Sequence, residues 1–450
     1  MQFITILDYI LLPTYLLLIL VFANQFRNRH YPPGHPWRKY FLPGLGLKLF
    51  GAILIGMIYQ YNYGGGDTAA YYFQSLVVDE AIMTDPFNGF KLLLHIPDMY
   101  STDYQQYISR MEWYFGANMY IVIALAAFFN LFTFSSFIAT SMLFAVLSFT
   151  GVWALFRTFA QQYPEYLRQV AIAVMFIPSC YVWSSGIFKD TLCMFGMGWL
   201  IYCVFQLLVQ KNFSFGNIFL LAMSFVLVAI VKVYIILALG PSIFMWLTFV
   251  YTKNIKQTAY RGLAKISLLL ISVSAVYVLL QFFEDRLGSY ALENIAKTAE
   301  TTRSYVLEQS EIYHGSGYDL GTIDGSAKGF IRVFPKALTI ALYGPFIWEA
   351  RKMIVLMSSL EAMIFLYLSL KLLFVVGPRT ILRTISRDPN IQFFVVFTII
   401  FGFAVGLVSG NYGSLSRYRV PCLPLFGMAI VLIYYRSGKA TKPLSSFLKI

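Results

Sequence analysis

Runs of apolar residues, each near the length of a membrane-crossing helix, recur from one end of the sequence to the other. A helix needs about 20 such residues to cross the hydrocarbon core of a bilayer. Only 12% of the residues are charged, whereas a soluble domain carries roughly 25%. The sequence therefore predicts an all-α polytopic membrane protein and argues against a soluble enzyme.

The apolar runs predict about eleven transmembrane helices. We place them near residues 7–24, 43–60, 135–156, 169–184, 191–209, 217–232, 234–251, 266–283, 354–376, 391–409 and 419–435. The chain is then one integral-membrane domain, 1–450, with successive parts. These are two N-terminal spans (1–60), a first outer loop with interfacial helices (61–134), six spans (135–283), a second outer loop (284–353), and three C-terminal spans with a cytoplasmic tail (354–450).

Lysines and arginines cluster in alternate connecting segments, and this predicts the orientation because cytoplasmic loops carry the excess of basic residues. Residues 27–39 include Arg27, Arg29, Arg38 and Lys39. We assign this segment to the cytoplasm, with the N-terminus outside and the C-terminus inside. Most of the 34 basic residues then lie inside. The net charge of +13 is therefore explained by topology, and we expect no nucleic-acid partner.

One further apolar stretch, residues 118–134, is a candidate either for a span or for a surface helix. Counting it as a span would move Arg157 and Arg168 to the outer side, against the distribution of basic residues. We therefore predict that it forms an interfacial helix on the outer surface.

A glycine-rich turn follows the second predicted span. It reads Gly64-Gly65-Gly66-Asp67, and successive glycines free the backbone from helical geometry. A carboxylate on such a turn at the membrane surface is a candidate catalytic base or metal ligand. It is equally a candidate cap for the next helix. Tyr71 lies four residues on, on the same face as Asp67 if a helix starts at Thr68.

Further charged residues lie at the predicted outer ends of spans, where ionisable groups are costly and commonly serve a function. Lys189 and Asp190 occupy a tight turn, Lys232 ends an apolar run, and Arg417 and Arg419 lead into the last span. Each has an ordinary explanation, because a lysine can snorkel, an aspartate can cap a helix, and an arginine can pair with a loop carboxylate. Their convergence on one outer face favours a shared site.

Such a set of charges suits a lipid-linked phosphate at the membrane interface. Arginine gives bidentate recognition of phosphate, and lysine gives a point charge. Asp67 would take a proton from an acceptor hydroxyl while the basic groups stabilise the leaving phosphate.

The order of four short motifs resembles the C-type integral-membrane glycosyltransferases, including their bacterial polysaccharide-polymerase relatives. The motifs are Gly66-Asp67 with Tyr71; Asn118-Met119-Tyr120 through Asn130-Leu131-Phe132 with the span ending in Leu155-Phe156-Arg157-Thr158-Phe159; Pro178-Ser179 through Ser185-Gly186-Ile187-Phe188-Lys189-Asp190; and Arg417-Tyr418-Arg419-Val420-Pro421-Cys422-Leu423-Pro424. The resemblance covers most of residues 45–435. The chain departs from the family in that Asp67 follows the second span rather than the first. The family's second outer acid has three candidates here, Asp79, Glu80 and Asp190.

The resemblance implies an enzyme of polysaccharide biosynthesis in the cell envelope, located in the bacterial inner membrane. Its donor would be a polyprenyl-phosphate-linked or polyprenyl-diphosphate-linked sugar, transferred with inversion to a glycan, lipid or protein acceptor on the outer face. The implied catalytic residues are Asp67 and Asp190, and the implied substrate contacts are Tyr71, Lys189, Lys232, Arg417 and Arg419. A divalent metal ion is a possible cofactor, with no ligands assigned.

Two other functions compete with sugar transfer. A polymerase of lipid-linked oligosaccharide repeats would differ mainly in its acceptor. A lipid or polysaccharide transporter without catalysis would place ionisable groups near the bilayer midplane. The predicted span from Phe137 to Leu155 contains none, which favours a site at the outer surface.

Overall fold

The computed structural model describes residues 2–98, 101–252, 267, 295–312, 316–321, 326–350 and 353–439. Helix accounts for 81% of the structure, and the described residues form no strand. The first part of the chain forms α1 (Ile6–His30), α2 (Arg38–Ile58), α3 (Asp67–Thr84), α4 (Pro86–Leu93), α5 (Thr102–Ile108), α6 (Ala117–Thr133), α7 (Phe137–Ala160), α8 (Leu167–Met175), α9 (Pro178–Trp183), α10 (Lys189–Val204) and α11 (Phe215–Thr252). The second part forms α12 (Ile295–Ile312), α13 (Ala327–Tyr343), α14 (Met353–Val376), α15 (Pro378–Arg387), α16 (Pro389–Val408), α17 (Tyr412–Tyr418) and α18 (Leu423–Arg436).

Seven of these helices, among the described residues, are long and apolar enough to cross a membrane. They are α1, α2 with its π-helical extension to Tyr63, α7, α10 with its extension to Val209, α11, α14 and α16. The helices α17 and α18 meet at an angle of 71° and would form an eighth span if they cross together. The prediction of an all-helical protein is confirmed, and its seven candidate spans are consistent with a polytopic membrane protein. The count of eleven spans stays a prediction.

Some predicted spans have a different form in the structure. Residues 169–184 form two short helices, α8 and α9, because Pro178 starts a new helix and has no backbone N–H to continue the previous one. The runs 217–232 and 234–251 both lie in α11, but its backbone leaves helical geometry at Lys232, where φ is −151° and ψ is 82°, so the predicted break between the two runs coincides with a kink. The predicted span 266–283 lies outside the described residues except for residue 267. The stretch 118–134 forms α6, which at 17 residues is shorter than the candidate spans.

The chain divides into two compact units. The first unit comprises Met1–Gln161, Cys180–Phe205 and Phe213–Val233, and the second comprises Gln162–Ser179, Gln206–Asn212 and Tyr234–Ile450. Each unit is described separately below.

In the first unit, α7 and α10 are largely buried and touch through glycines. A Cβ atom on Gly198 of α10 would lie 1.9 Å from the carbonyl oxygen of Gly151 on α7. A Cβ atom on Gly151 would lie 2.3 Å from the carbonyl oxygen of Phe195. Small residues permit such close backbone contact between membrane helices, where dispersion and not the hydrophobic effect holds helices together.

Gly198→Leu should lower the free energy of unfolding by about 1–3 kcal/mol or more, because the added atoms meet backbone that cannot move aside. Equilibrium unfolding in detergent measures the effect. Gly46→Ala on α2 of the same unit is the matched control, since no atom lies within 4 Å of the added Cβ. That control should raise stability by up to about 1 kcal/mol. Equal losses in the two variants would contradict the proposed contact.

The second unit has comparable close contacts. A Cβ atom on Gly406 of α16 would lie 2.2 Å from the carbonyl oxygen of Ala337 on α13. The indole of Trp246, on α11, is fully buried and donates a hydrogen bond of 2.7 Å to Asn390 at the start of α16. These contacts hold α11, α13 and α16 together within this unit.

Candidate functional site

Asp67 and Lys189 each begin a helix of the first unit. Asp67 is the first residue of α3, and Lys189 is the first residue of α10. The N-cap position of α3 belongs to Gly66, whose φ of 113° is readily adopted only by glycine. The Asp67 side chain is exposed and the Lys189 side chain is half-buried. The capping position considered for Asp67 is therefore taken by its neighbour, and the carboxylate stands at the positive end of the α3 dipole.

One aromatic ring lies beside the starts of both helices. A Cβ atom on Gly66 would lie 2.8 Å from Cε1 of Tyr59, so only glycine allows this approach. The Tyr59 ring also contacts the Phe188 ring, with 5.5 Å between their centroids. Because Gly66 precedes Asp67 and Phe188 precedes Lys189, the Tyr59 ring helps to set where both charged residues lie.

Asp190 and Lys232 form a buried ion pair in the same unit. The Lys232 Nζ atom lies 2.5 Å from Oδ1 of Asp190, and the two side chains are 7% and 1% exposed. Lys232 is also the residue at which α11 departs from helical geometry. Each of these deeply buried charges compensates the other.

Lys189 interacts electrostatically with Asp67, Asp190 and Lys232, and also with the Cys193 thiol. The four charged residues of this group are Asp67, Lys189, Asp190 and Lys232. We call these four residues the charged cluster. Within the described part of the chain, no hydrogen bond or ion pair engages the Lys189 ammonium group. The cluster thus brings together four of the residues that the sequence singled out, with Lys189 as its half-buried cation and Asp67 as its exposed carboxylate.

Tyr71 lies one turn after Asp67 but is 2% exposed. Its ring packs against Trp113, with 4.7 Å between centroids, and its hydroxyl donates toward the Met119 sulfur at 3.7 Å. Trp113 is half-buried. The buried Tyr71 ring therefore packs against Trp113, and of these two rings it is Trp113 that retains accessible surface.

Arg419 belongs to the second unit and is fully buried. Its guanidinium donates hydrogen bonds to the carbonyl oxygens of Gly344 at 2.5 Å and Ser358 at 3.3 Å, and it lies 3.6 Å from the Glu361 carboxylate. Arg417, in the last turn of α17, is half-buried. The Arg419 side chain is thus occupied by protein acceptors, which suits a residue that positions its surroundings better than one that binds phosphate.

Glu361 is a buried residue that the sequence analysis missed. It accepts a hydrogen bond of 2.7 Å from the backbone N–H of Ser179 in addition to facing Arg419. The signal was present, because Glu361 is the one acidic residue in the apolar run 353–376. An intramembrane carboxylate is a functional candidate by default.

Lys48 is a second buried charged residue that the sequence analysis did not single out. It is 3% exposed and lies ten residues after Arg38 on α2, or about 15 Å along the helix axis from the segment assigned to the cytoplasm. Its ammonium donates to Ser148 Oγ at 2.9 Å and to the Ser184 carbonyl and Oγ at 2.9 and 2.5 Å. A lysine inside an apolar run was the available signal.

Asp79, on α3, is a buried carboxylate outside the candidate spans. Its Oδ2 atom accepts hydrogen bonds from Asn130 at 2.8 Å and Ser135 at 3.0 Å. Burial raises the pKa of Asp79 to about 6, although these two hydrogen bonds oppose the shift. The folded protein therefore holds a proton on Asp79 more tightly than the unfolded chain does.

Asp79 should make stability fall as the pH rises from about 4 to about 6. The unfolded chain loses the proton near pH 4 and the folded protein only near pH 6, so between these values the folded state binds more protons. A shift of about 2 pKa units corresponds to about 3 kcal/mol. Asp79→Asn keeps a carbonyl acceptor for Asn130 and Ser135, and should flatten this part of the profile of thermal midpoint against pH. An unchanged difference in stability between pH 4 and pH 6 in the variant would contradict the assignment.

A divalent metal ion does not fit the charged cluster. Among the described residues, no three His, Cys, Asp or Glu side chains come together as metal ligands. The two carboxylates of the cluster are accompanied by two lysine ammonium groups, and these ammonium groups would repel a metal cation. We therefore derive no step through a metal.

Comparison with protein-family models, with curated proteins and with solved structures finds no significant match to this chain.

Proposed function

We propose that the chain is a membrane glycosyltransferase that moves a sugar from a polyprenyl-phosphate-linked donor to an acceptor on the outer face of the membrane, with inversion. The observation that carries the proposal is that an exposed Asp67 carboxylate and the half-buried Lys189 ammonium, each at the start of a helix, are near enough to interact electrostatically. A base and a cation that binds phosphate are the two groups that this transfer requires.

In the proposed reaction, the acceptor hydroxyl oxygen forms a bond to the anomeric carbon of the donor sugar. The bond between that carbon and the phosphate oxygen breaks, and its electron pair stays on the polyprenyl phosphate. The hydroxyl proton moves to Asp67, which acts as general base. Lys189 stabilises the charge of the leaving phosphate, helped by the amide groups at the start of α10.

The buried residues receive supporting roles in this proposal. Lys232 is held by Asp190, so it sets the position and the field of the cluster and is not assigned to the phosphate. Arg419 is fully buried with its two terminal nitrogens facing protein acceptors and is assigned to positioning as well. Arg417 stays a proposed phosphate contact. Trp113, with its accessible ring, replaces Tyr71 as the proposed surface for stacking a sugar.

A second candidate, transport of a lipid-linked glycan without chemistry, is favoured by one observation. Lys48 is an ionisable group buried among helices well inside a candidate span, and such groups commonly mark transport pathways. Its ammonium is engaged by serine and carbonyl oxygens of the protein, which equally suits a structural role.

Purified protein in lipid nanodiscs, incubated with a panel of polyprenyl-phosphate and polyprenyl-diphosphate sugars and acceptors, tests the two candidates. Sugar transfer should release the polyprenyl phosphate or diphosphate and form a glycosylated acceptor. The alternative outcome is that the protein in proteoliposomes moves a fluorescent lipid-linked sugar from one leaflet of the membrane to the other. If it does so and releases no carrier phosphate from any donor, the glycosyltransferase proposal is wrong and the transporter proposal is supported.

A further inference from the structure

The helix α15 joins two candidate spans of the second unit, α14 and α16. It carries arginines at positions four residues apart, Arg379, Arg383 and Arg387. Residues with this spacing share one face of a helix. All three side chains are exposed. We call them the arginine strip.

No carboxylate neutralises the arginine strip in the described part of the chain. The neighbouring acid is Asp388, and it is already committed. Asp388 pairs with Arg436, accepts a hydrogen bond of 2.8 Å from the Tyr163 hydroxyl, and caps α16 through the backbone N–H of Asn390 at 2.9 Å. The strip therefore keeps three positive charges at the end of the helix bundle of this unit.

The side of α15 next to the arginine strip is apolar. Leu382 is 67% exposed, while Ile381 and Ile385 are half-buried. A short helix with basic residues on one face and exposed aliphatic residues beside them has the composition of helices that lie in the membrane interface. There the aliphatic side chains enter the acyl region and the guanidinium groups meet the lipid phosphates.

Two residues, one at the end of α18 and one just after it, contact the two ends of α15. The Lys439 ammonium donates a hydrogen bond of 2.8 Å to the carbonyl oxygen of Val376, just before α15 begins. Arg436 pairs with Asp388, just after α15 ends. The helix that carries the strip is thus fixed at both ends. The loss of backbone conformational entropy when a ligand binds should therefore be small.

We propose that the arginine strip of α15 is a binding surface for the headgroups of anionic phospholipids. Two observations favour anionic phospholipids as the ligand: the positive charge of the strip and its position between two candidate membrane spans. Guanidinium groups bind phosphate oxygens in a bidentate manner, and spans α14 and α16 place the strip close to the headgroup layer. Each basic residue near an anionic membrane contributes about a fivefold gain in affinity.

Native mass spectrometry of the full-length protein in detergent, titrated with phosphatidylglycerol or phosphatidylcholine of the same acyl chains, tests the proposal. Phosphatidylglycerol should bind more tightly to the wild type. The variant Arg379→Gln/Arg383→Gln/Arg387→Gln should lose affinity for it by roughly 100-fold, at three charges of about fivefold each. Replacing the three arginines by lysine should restore most of the binding, because the charges return.

The helix α13 supplies the matched control. Lys328, Arg332 and Lys336 have the same spacing and are exposed, so their replacement by Gln removes the same total charge from another helix. This control should retain tight binding of phosphatidylglycerol. Unchanged binding after neutralisation of the arginine strip would overturn the proposal. Equal losses in the two triple variants would also overturn it, because binding would then follow total charge. Competition by soluble glycerol phosphate at the concentration of the lipid would show a free-phosphate site and not a lipid surface.

Discussion

Asp67→Asn should reduce sugar transfer by about 10²–10⁴-fold, the usual loss on removing a general base. The substitution preserves the size of the side chain and removes its charge and basicity. The protein should stay folded, because Gly66 and not Asp67 occupies the N-cap position of α3 and the Asp67 side chain is exposed. Turnover of a lipid-linked sugar and the thermal midpoint in detergent, measured on the same preparation, separate chemistry from folding.

Two further variants serve as comparisons for Asp67→Asn. Asp79→Asn changes a buried carboxylate of the same helix, which is held by Asn130 and Ser135, and should leave turnover near the wild-type value. Asp190→Asn changes the buried member of the charged cluster. A folded Asp67→Asn protein with full turnover would eliminate Asp67 as the base. A loss confined to Asp190→Asn would assign the base to Asp190.

Most of the candidate membrane spans could be predicted, because an apolar run of sufficient length is a local property of the sequence. The predicted spans 43–60, 191–209 and 354–376 lie within α2, α10 and α14 and their extensions. The sequence also placed the break in α11, since residues 217–232 and 234–251 were predicted as separate spans and the helix is interrupted at Lys232. The division of residues 169–184 into α8 and α9 was missed, although Pro178 is a local signal that starts a new helix.

The charged cluster could be predicted in part. Asp67, Lys189, Asp190 and Lys232 each stood out as a charge at the end of an apolar run, and the structure brings these four together. Their division of roles could not be foreseen. The pairing of Asp190 with Lys232 joins residues 42 positions apart, and burial decides which of the two lysines retains an accessible ammonium.

Arg419 shows the same limit in the second unit. Its position before the last span suggested a phosphate contact, but its side chain is surrounded by Gly344, Ser358 and Glu361. These acceptors lie 58 to 75 residues earlier in the chain. The sequence pattern around Arg419 does not show which distant residues will contact it. Glu361 could have been proposed as a partner only if it had been noticed as the one acidic residue of its apolar run.

Lys232→Met should destabilise the protein by about 3–5 kcal/mol, because it leaves the Asp190 carboxylate buried without its counter-charge. The pair is 2.5 Å apart with side chains 7% and 1% exposed, so water cannot replace the lost partner without opening the first unit. Asp190→Leu should cost a similar amount, because the buried Lys232 ammonium loses the carboxylate that lies 2.5 Å from it. Equilibrium unfolding in detergent gives both values.

The double variant Asp190→Leu/Lys232→Met distinguishes a coupled pair from two independent residues. With both charges gone, side chains of similar volume fill the same space, and most of the stability should return. The double variant should therefore lose no more than about 1–2 kcal/mol, whereas two independent residues would lose the sum of the single effects, about 6–10 kcal/mol. Additive losses would mean that the two charges do not compensate each other.

Activity of that double variant then decides what the pair does for the chemistry. If Asp190 and Lys232 contribute only to the stability of the first unit, a folded double variant should transfer sugar at a rate close to that of the wild type. If the pair sets the field around Lys189, stability should return while turnover stays low, since Lys189 interacts electrostatically with both residues. The proposed positioning role predicts the second result. Full turnover in a stable double variant would reduce the working site to Asp67 and Lys189.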